Sequence, residues 1–197
     1  MTPLLKLSQL IDGLNERVGR GAFWLVLVLT IISAANAVIR FTFNYSSNGL
    51  LEIQWYLFAA IFLLCSPYTL QKNEHVRIDV ISGKFGPRVH AFIDIIGTLF
   101  FLLPMVILVL YLSLPLIAES YKIQEMSANA GGLIRWPVKL ILPVSFGFLA
   151  LQGVSELIKR IAFLQGLIDD PNAKNEGPTA EEELAAAIAA AKAKENQ

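Results

Sequence analysis

The stretch GAFWLVLVLTIISAANAVI, residues 21–39, is the clearest indication of the fold because it is long, apolar and without charged side chains. An α-helix rises about 1.5 Å per residue, so roughly twenty helical residues cross a hydrocarbon core about 30 Å thick. The whole chain has the same character: 55% of its 197 residues are hydrophobic and 16% are charged. In a soluble domain about a quarter of the residues carry charge. We therefore predict an integral membrane protein.

Three further apolar runs follow the first. Together the four runs predict transmembrane helices at about 21–43, 50–71, 91–118 and 137–164. Each run is long enough to cross the hydrocarbon core as a helix, and a helix satisfies its own backbone hydrogen bonds in lipid. The runs predict a four-span, all-α membrane domain over residues 21–168.

The third run has two features that bear on its shape. Pro104 and Pro115 interrupt it, and because proline lacks a backbone N–H they predict kinks there. Asp94 lies near its start, about one helical turn from Arg88 and His90. We expect Asp94 to form an interfacial pair or a cap with these neighbours rather than an ion site.

The first twenty residues predict an amphipathic interfacial helix. Bulky apolar residues recur at spacings of three and four on one helical face, opposite Lys6, Gln9, Glu16 and Arg20: Leu4, Leu7, Ile11, Leu14 and Val18. Such a helix lies at the lipid headgroups. A docking helix for a partner subunit is the alternative.

Residues 169–197, DDPNAKNEGPTAEEELAAAIAAAKAKENQ, have almost no bulky apolar side chains and predict a solvated tail. Thr179 and Glu182 have the spacing of a capping box before an alanine-rich stretch. Part of the tail is therefore expected to form a helix of marginal stability.

The distribution of basic residues predicts the orientation. Nine Lys and Arg residues lie near the spans on the side of the two termini, and four lie on the other side. The positive-inside bias then places both termini in the cytoplasm. The predicted fold class is an all-α integral membrane protein with four transmembrane helices preceded by an amphipathic interfacial helix, N-in and C-in.

Motifs for enzymatic chemistry are missing from the sequence. It has no glycine-rich phosphate loop, no HExxH zinc motif and no Gly-x-Ser-x-Gly nucleophile elbow. The formal net charge is zero, which gives no reason to expect nucleic acid as a partner. We predict no enzymatic activity, no cofactor and no metal site.

The rival interpretation is a membrane anchor or assembly subunit of a respiratory complex. Such anchors often hold haem through histidines in the bundle. Only His75 and His90 are present, and both fall in one loop between spans. Haem ligation is therefore disfavoured, although an assembly role stays open.

Two strings carry a family resemblance. The first is LEIQWYLFAAIFLLCSPYTLQKNEHVRIDVISG, residues 51–83, which has Glu52 and Trp55 at the start of the second span. Its polar end supplies the second part of the pattern: Asn73, His75, Val76, Arg77, Asp79 and Val80. The second string is NAGGLIRWPVKLILPVSFGFLALQGVSELIK, residues 129–159, with Gly132, Arg135, Trp136 and Pro137. Across roughly residues 5–168 the chain resembles the DctQ-like small membrane subunit of tripartite ATP-independent periplasmic (TRAP) transporters.

This resemblance implies a subunit of the bacterial inner membrane that performs no catalysis. It would act as a scaffold or stator beside a large multi-span M subunit and help to receive a periplasmic substrate-binding protein. The implied process is secondary, sodium-coupled uptake of a small organic acid such as a 2-oxo acid. The candidate partner-contact or positional residues are Glu52, Trp55, Asn73, His75, Arg77, Asp79, Arg135 and Trp136. Residues 119–136 and 44–48 are the candidate surface for the binding protein.

Overall fold

The computed structural model describes residues 2–73, 86–169 and 171. Within these ranges the chain forms four long helices: α1 (Thr2–Phe43), α2 (Asn48–Lys72), α3 (Pro87–Lys122) and α4 (Trp136–Leu164). Each helix is long and apolar enough to cross a membrane. The predicted all-α class with four spans is therefore confirmed. Where the membrane begins and ends along these helices stays a prediction.

Helix α1 is continuous over 42 residues, with no break where the predicted interfacial helix was expected to join the first span. At about 1.5 Å per residue it is about 63 Å long, roughly twice the thickness of a hydrocarbon core. A helix of this length either extends beyond the membrane or crosses it obliquely.

The first turns of α1 bury mainly polar and small side chains. Ser8 and Asn15 are almost fully buried. Of the predicted apolar face, Ile11 is also buried, whereas the leucines stay exposed: Leu4, Leu7 and Leu14. The side of this segment that packs inside the protein is therefore a strip of small or polar side chains together with Ile11. The predicted polar face stays outside, since Lys6, Gln9 and Arg20 are exposed, and the leucines also face outward.

Helix α3 contains a π-helical turn, Thr98–Leu102, directly before Pro104. Proline cannot donate the hydrogen bond that its own turn requires, and a π-helical turn is a common accommodation of such a defect. The predicted irregularity near Pro104 thus takes the form of a π-bulge. At Pro115 the helix continues as an α-helix to Lys122.

Helix α4 packs against each of the other three helices, and α1 also packs along α2. Most of the fully buried side chains are small or polar, as is common where membrane helices approach closely. Asn15, Ser145 and Gln152 are examples. The helices approach closely at Gly19, where an added Cβ would lie 2.8 Å from the Tyr68 side chain. Ser145 Oγ also donates a hydrogen bond to the Leu63 carbonyl, which joins α4 to α2.

Candidate functional site

Glu52 is the centre of a polar cluster at the end of the bundle where residues 44–47 join α1 to α2 and residues 123–135 join α3 to α4. We call this the loop end. The Glu52 side chain is only 3% exposed. Its Oε1 accepts hydrogen bonds from Ser127 Oγ and from Asn129 Nδ2, the latter at 2.9 Å. Its Oε2 accepts the backbone N–H of Leu133 at 2.7 Å. Hydrogen bonds to an ionised carboxylate are among the stronger ones in proteins.

The loop of residues 123–135 is folded back on itself above Glu52. Met126 and Ile134 form an isolated antiparallel bridge, and the Ser127 N–H donates to the Leu133 carbonyl at 3.0 Å. Gly131 has a φ of 71°, a left-handed conformation that glycine adopts without strain. The loop therefore has a defined, hairpin-like shape.

Two further contacts attach this loop to α2. Asn48 Nδ2 donates to the Ala130 carbonyl at 2.9 Å, and the Tyr56 hydroxyl donates to the Ile134 carbonyl at 3.3 Å. Because Asn48 begins α2, the first turns of that helix hold both the tip and the base of the loop.

Glu125 is the second carboxylate of the loop end. It forms an ion pair with Lys139 of α4 and accepts a hydrogen bond from Ser120 Oγ at 2.7 Å. The Lys139 ammonium and the Ser120 hydroxyl hold the pKa of Glu125 below its usual value, because both stabilise the ionised form. Glu125 thus links the end of α3 to the start of α4.

The structure brings three of the predicted site residues to the loop end beside this cluster. Arg135 precedes α4, and its backbone N–H donates to the Glu125 carbonyl at 2.8 Å. The Trp136 ring packs edge-on against Tyr121, with ring centroids 5.3 Å apart. Trp55 lies one turn beyond Glu52, but its side chain is 64% exposed and points away from the bundle.

The other predicted site residues do not join this cluster. Asn73 ends α2 at the opposite end of the bundle, with a φ of 57°. It lines a crevice of about 50 Å³ together with Asp94 and Arg160. Asp94 Oδ2 lies 3.3 Å from Arg160 Nη2 of α4. This ion-pair partner is far along the chain, whereas the predicted partners were Arg88 and His90, about one turn away. Three predicted residues lie outside the described part of the chain: His75, Arg77 and Asp79.

A second polar cluster, which is not among the predicted site residues, joins α1 to α4 away from the loop end. Asp12 Oδ1 accepts hydrogen bonds from Gln152 Nε2 at 2.9 Å and from Ser155 Oγ at 2.8 Å. Asn15 Nδ2 donates to Gln152 Oε1 at 2.6 Å, and Lys159 pairs with Asp12 Oδ2 at 3.2 Å. The cluster therefore combines buried amides with an ion pair at its edge.

A sequence signal for this α1–α4 cluster did exist. The polar residues of α4 recur at spacings of three and four and occupy one helical face: Gln152, Ser155, Glu156 and Lys159. Ser8, Asp12 and Asn15 recur in the same way on α1. A polar stripe on each of two helices is a sign that they can pair, although it does not identify the partner.

No group of three His, Cys, Asp or Glu side chains within the described ranges could hold a metal ion. The carboxylates of both clusters are bound to donors of the same chain, as is usual for buried acidic groups that serve packing. The arrangement joins helices to one another and holds a loop in place.

Comparison with curated protein sequences gives no match. Comparison with protein families gives a match over residues 29–163 to the family described as "Tripartite ATP-independent periplasmic transporters, DctQ component". The matched range contains α2, α3, all but the last residue of α4 and the Glu52 cluster, and it begins after Ser8, Asp12 and Asn15. It covers more than half of the chain, and with four apolar helices it indicates a multi-pass protein of the inner membrane. The chain belongs to the DctQ family and is a small, non-catalytic membrane subunit of a TRAP transporter.

Proposed function

We propose that this subunit is a fixed scaffold against which the large M subunit moves during transport. The observation that carries the proposal is the joining of the helices near both ends of the bundle. The Glu52 cluster ties α2 to the loop before α4, and the α1–α4 cluster ties the first helix to the last. Such connections let four helices act as one body, and a scaffold must resist tilting while its neighbour slides.

The outer surface of the bundle supports the same role. Large apolar side chains point outward on all four described helices, among them Trp55 and Phe62 of α2 and Phe101 of α3. A surface of this kind can pack against lipid or against partner helices. We propose that one outward face binds the M subunit and that Trp55 contributes to that contact.

We also propose that the loop end faces the periplasm and helps to receive the substrate-binding protein. The exposed residues there come from both connections and include Tyr45, Met126 and Asn129. Aromatic side chains and methionine are enriched in protein interfaces. His75, Arg77 and Asp79 would then lie on the cytoplasmic side, where they position the second connection or contact the M subunit.

The transported substrate is proposed to be a small organic acid such as a 2-oxo acid, taken up with sodium. Support comes from residues 129–159, which resemble the branch of the family whose ligands are 2-oxo acids and other small organic acids. Thermal unfolding of the purified binding protein with a panel of 2-oxo acids tests this point. A stabilising 2-oxo acid is the expected result, and stabilisation only by another ligand class would contradict it.

Photo-crosslinking tests the scaffold proposal. A benzoyl-phenylalanine residue would replace Phe41, Phe62 or Phe101, which point outward from α1, α2 and α3. The M subunit would be co-expressed and the products separated by size. We expect a crosslink to the M subunit from one outward face. Val106, which is fully buried, is the matched control that should give none. Co-purification without a crosslink from any position, or a stable lone monomer, would contradict the proposal.

A further inference from the structure

We propose that Glu52 is a positioning residue for capture of the binding protein: its buried carboxylate holds the loop of residues 123–135 in the shape that the binding protein recognises. The inference rests on the proposed docking at the loop end. Glu52 itself is 3% exposed and bonded to the loop on both oxygens. It is therefore unsuited to touch a partner, and its effect has to pass through the loop.

The three donors that Glu52 accepts come from well-separated parts of the loop. Ser127 and Asn129 lie on its first arm, and the Leu133 N–H lies on its second arm, after the turn at Gly131. One carboxylate thus holds both arms together. A buried carboxylate is costly unless hydrogen bonds compensate it, so the loop and Glu52 stabilise each other's position.

Because the carboxylate holds the loop, it also keeps the outward side of the loop in a fixed position. Met126 and Ala128 are exposed, while Ser127 between them points inward to Glu52. Tyr45 of the other connection is exposed at the same end, and Asn48 joins the two connections through the Ala130 carbonyl. A change at Glu52 should therefore alter a surface that it does not itself form.

The test measures binding of fluorescently labelled binding protein to the complete membrane complex, this chain with its M subunit, in nanodiscs. Glu52→Ala should raise the Kd about tenfold, the scale expected for loss of a hydrogen bond to a charged group. Glu52→Gln should raise it less, because the amide oxygen still accepts from Ser127 and Asn129 whereas its nitrogen cannot accept the Leu133 N–H. The number of binding sites per complex should stay unchanged, which a misfolded variant would not achieve.

A distance measurement accompanies the binding assay. Spin labels at Ser46→Cys and Ala128→Cys, in a Cys65→Ser background, report the separation of the two connections by pulsed electron paramagnetic resonance. We expect one narrow distribution with Glu52 and a broad one with Glu52→Ala. Glu119→Gln is the matched control, since Glu119 is an exposed carboxylate near the same end of α3, and it should change neither measurement.

Ala128→Trp, on the exposed side of the loop, distinguishes a failure of the proposed docking from a failure of the positioning role of Glu52. If Ala128→Trp leaves the Kd unchanged, docking at the loop end is wrong and the proposed function fails in that part. If Ala128→Trp weakens binding but both Glu52 variants bind as the unmodified complex does, docking stands and the positioning role is overturned. Should Glu52→Ala fail to assemble with the M subunit, Glu52→Gln and Ser127→Ala decide by the same criteria.

Discussion

At the loop end, the neighbouring donors determine where each acidic side chain lies. Glu52 and Glu125 are both acidic and lie at the same end, yet each is bound to its own set of donors. Gly132 matters for a different reason, because the space beside it is filled. An added Cβ there would lie 2.4 Å from Ser127 Cβ, closer than non-bonded carbon atoms can approach.

Gly132→Ala should therefore destabilise the loop. The loop has to shift away from Ser127, and overpacking of this kind costs about 1–3 kcal/mol. Thermal unfolding of the purified chain in detergent measures the effect. Gly147→Ala is the control, because a Cβ at Gly147 meets nothing within 4 Å. Equal unfolding temperatures for the two variants would contradict the prediction.

The ion pair of Glu125 and Lys139 predicts a pH dependence. The pKa of Glu125 is lowered in the folded chain from its ordinary value of 4.5. Its contribution to stability is thus fully present above pH 4.5 and is lost as the pH falls through the lower, folded pKa.

Glu125→Gln should be less stable than the unmodified chain at neutral pH, and the two should converge in acid. Thermal unfolding across that pH range measures the difference. A difference that stays constant or grows as the pH falls would show that the charge of Glu125 is not the cause.

At the scale of helices, the main finding is how α1 and α4 meet. Gln152 and Ser155 lie at the end of the uncharged part of α4, residues 140–155, and they contact Asp12 and Asn15 of α1. The first turns of α1 therefore lie close to the expected membrane boundary.

The bond between Asn15 and Gln152 should appear as coupling in a double-mutant cycle. With Asn15→Leu and Gln152→Leu we expect a coupling energy of about 0.6 kcal/mol, the average for hydrogen bonds between membrane helices, and at most about 1.7 kcal/mol. Unfolding in bicelles measures it. Asn15→Leu combined with Ser113→Ala is the control, since Ser113 bonds to Leu110 within α3, and these two changes should be additive. Additivity in both cycles would contradict the prediction.

The contact of α1 with α2 depends on Gly19. Gly19→Ala should force the helices apart, because the new Cβ would lie 2.8 Å from Cβ and Cγ of Tyr68. We expect a lower unfolding temperature. Gly21→Ala, two residues away with nothing within 4 Å of its Cβ, should leave the temperature unchanged or raise it. The reverse order of the two variants would rule out this close approach.

At the scale of the molecule, the proposed orientation determines which end meets the binding protein. Under the positive-inside bias the loop end is periplasmic. An alkaline phosphatase fusion after Gln124 should then be active, since this enzyme folds only in the periplasm, and a fusion after Gly83 should be inactive. Equal expression of both fusions, checked by immunoblot, is the control. The opposite activities would invert the topology and move docking to the other end.

Several features of this protein were predictable from the sequence. Four apolar runs determine four membrane helices, because the preference for lipid depends on composition over roughly twenty residues and not on which residues pack against them. Pro104 predicts the irregular part of α3, because proline lacks a backbone N–H whatever packs against it. Glu52, Arg135 and Trp136 were also predicted as candidates for the site, and they lie together at the loop end.

The contacts of these residues follow from the tertiary packing and were not predictable from the sequence. Glu52 meets Ser127, 75 positions away, and Asp12 meets Ser155, 143 positions away. Periodicity along one helix shows which side chains share a face, but not which helix covers that face or at what register. Composition along the chain is therefore enough to predict residence in the membrane, whereas the folding of residues 123–135 over α2 is what buries Glu52 beneath a loop instead of exposing it to a partner.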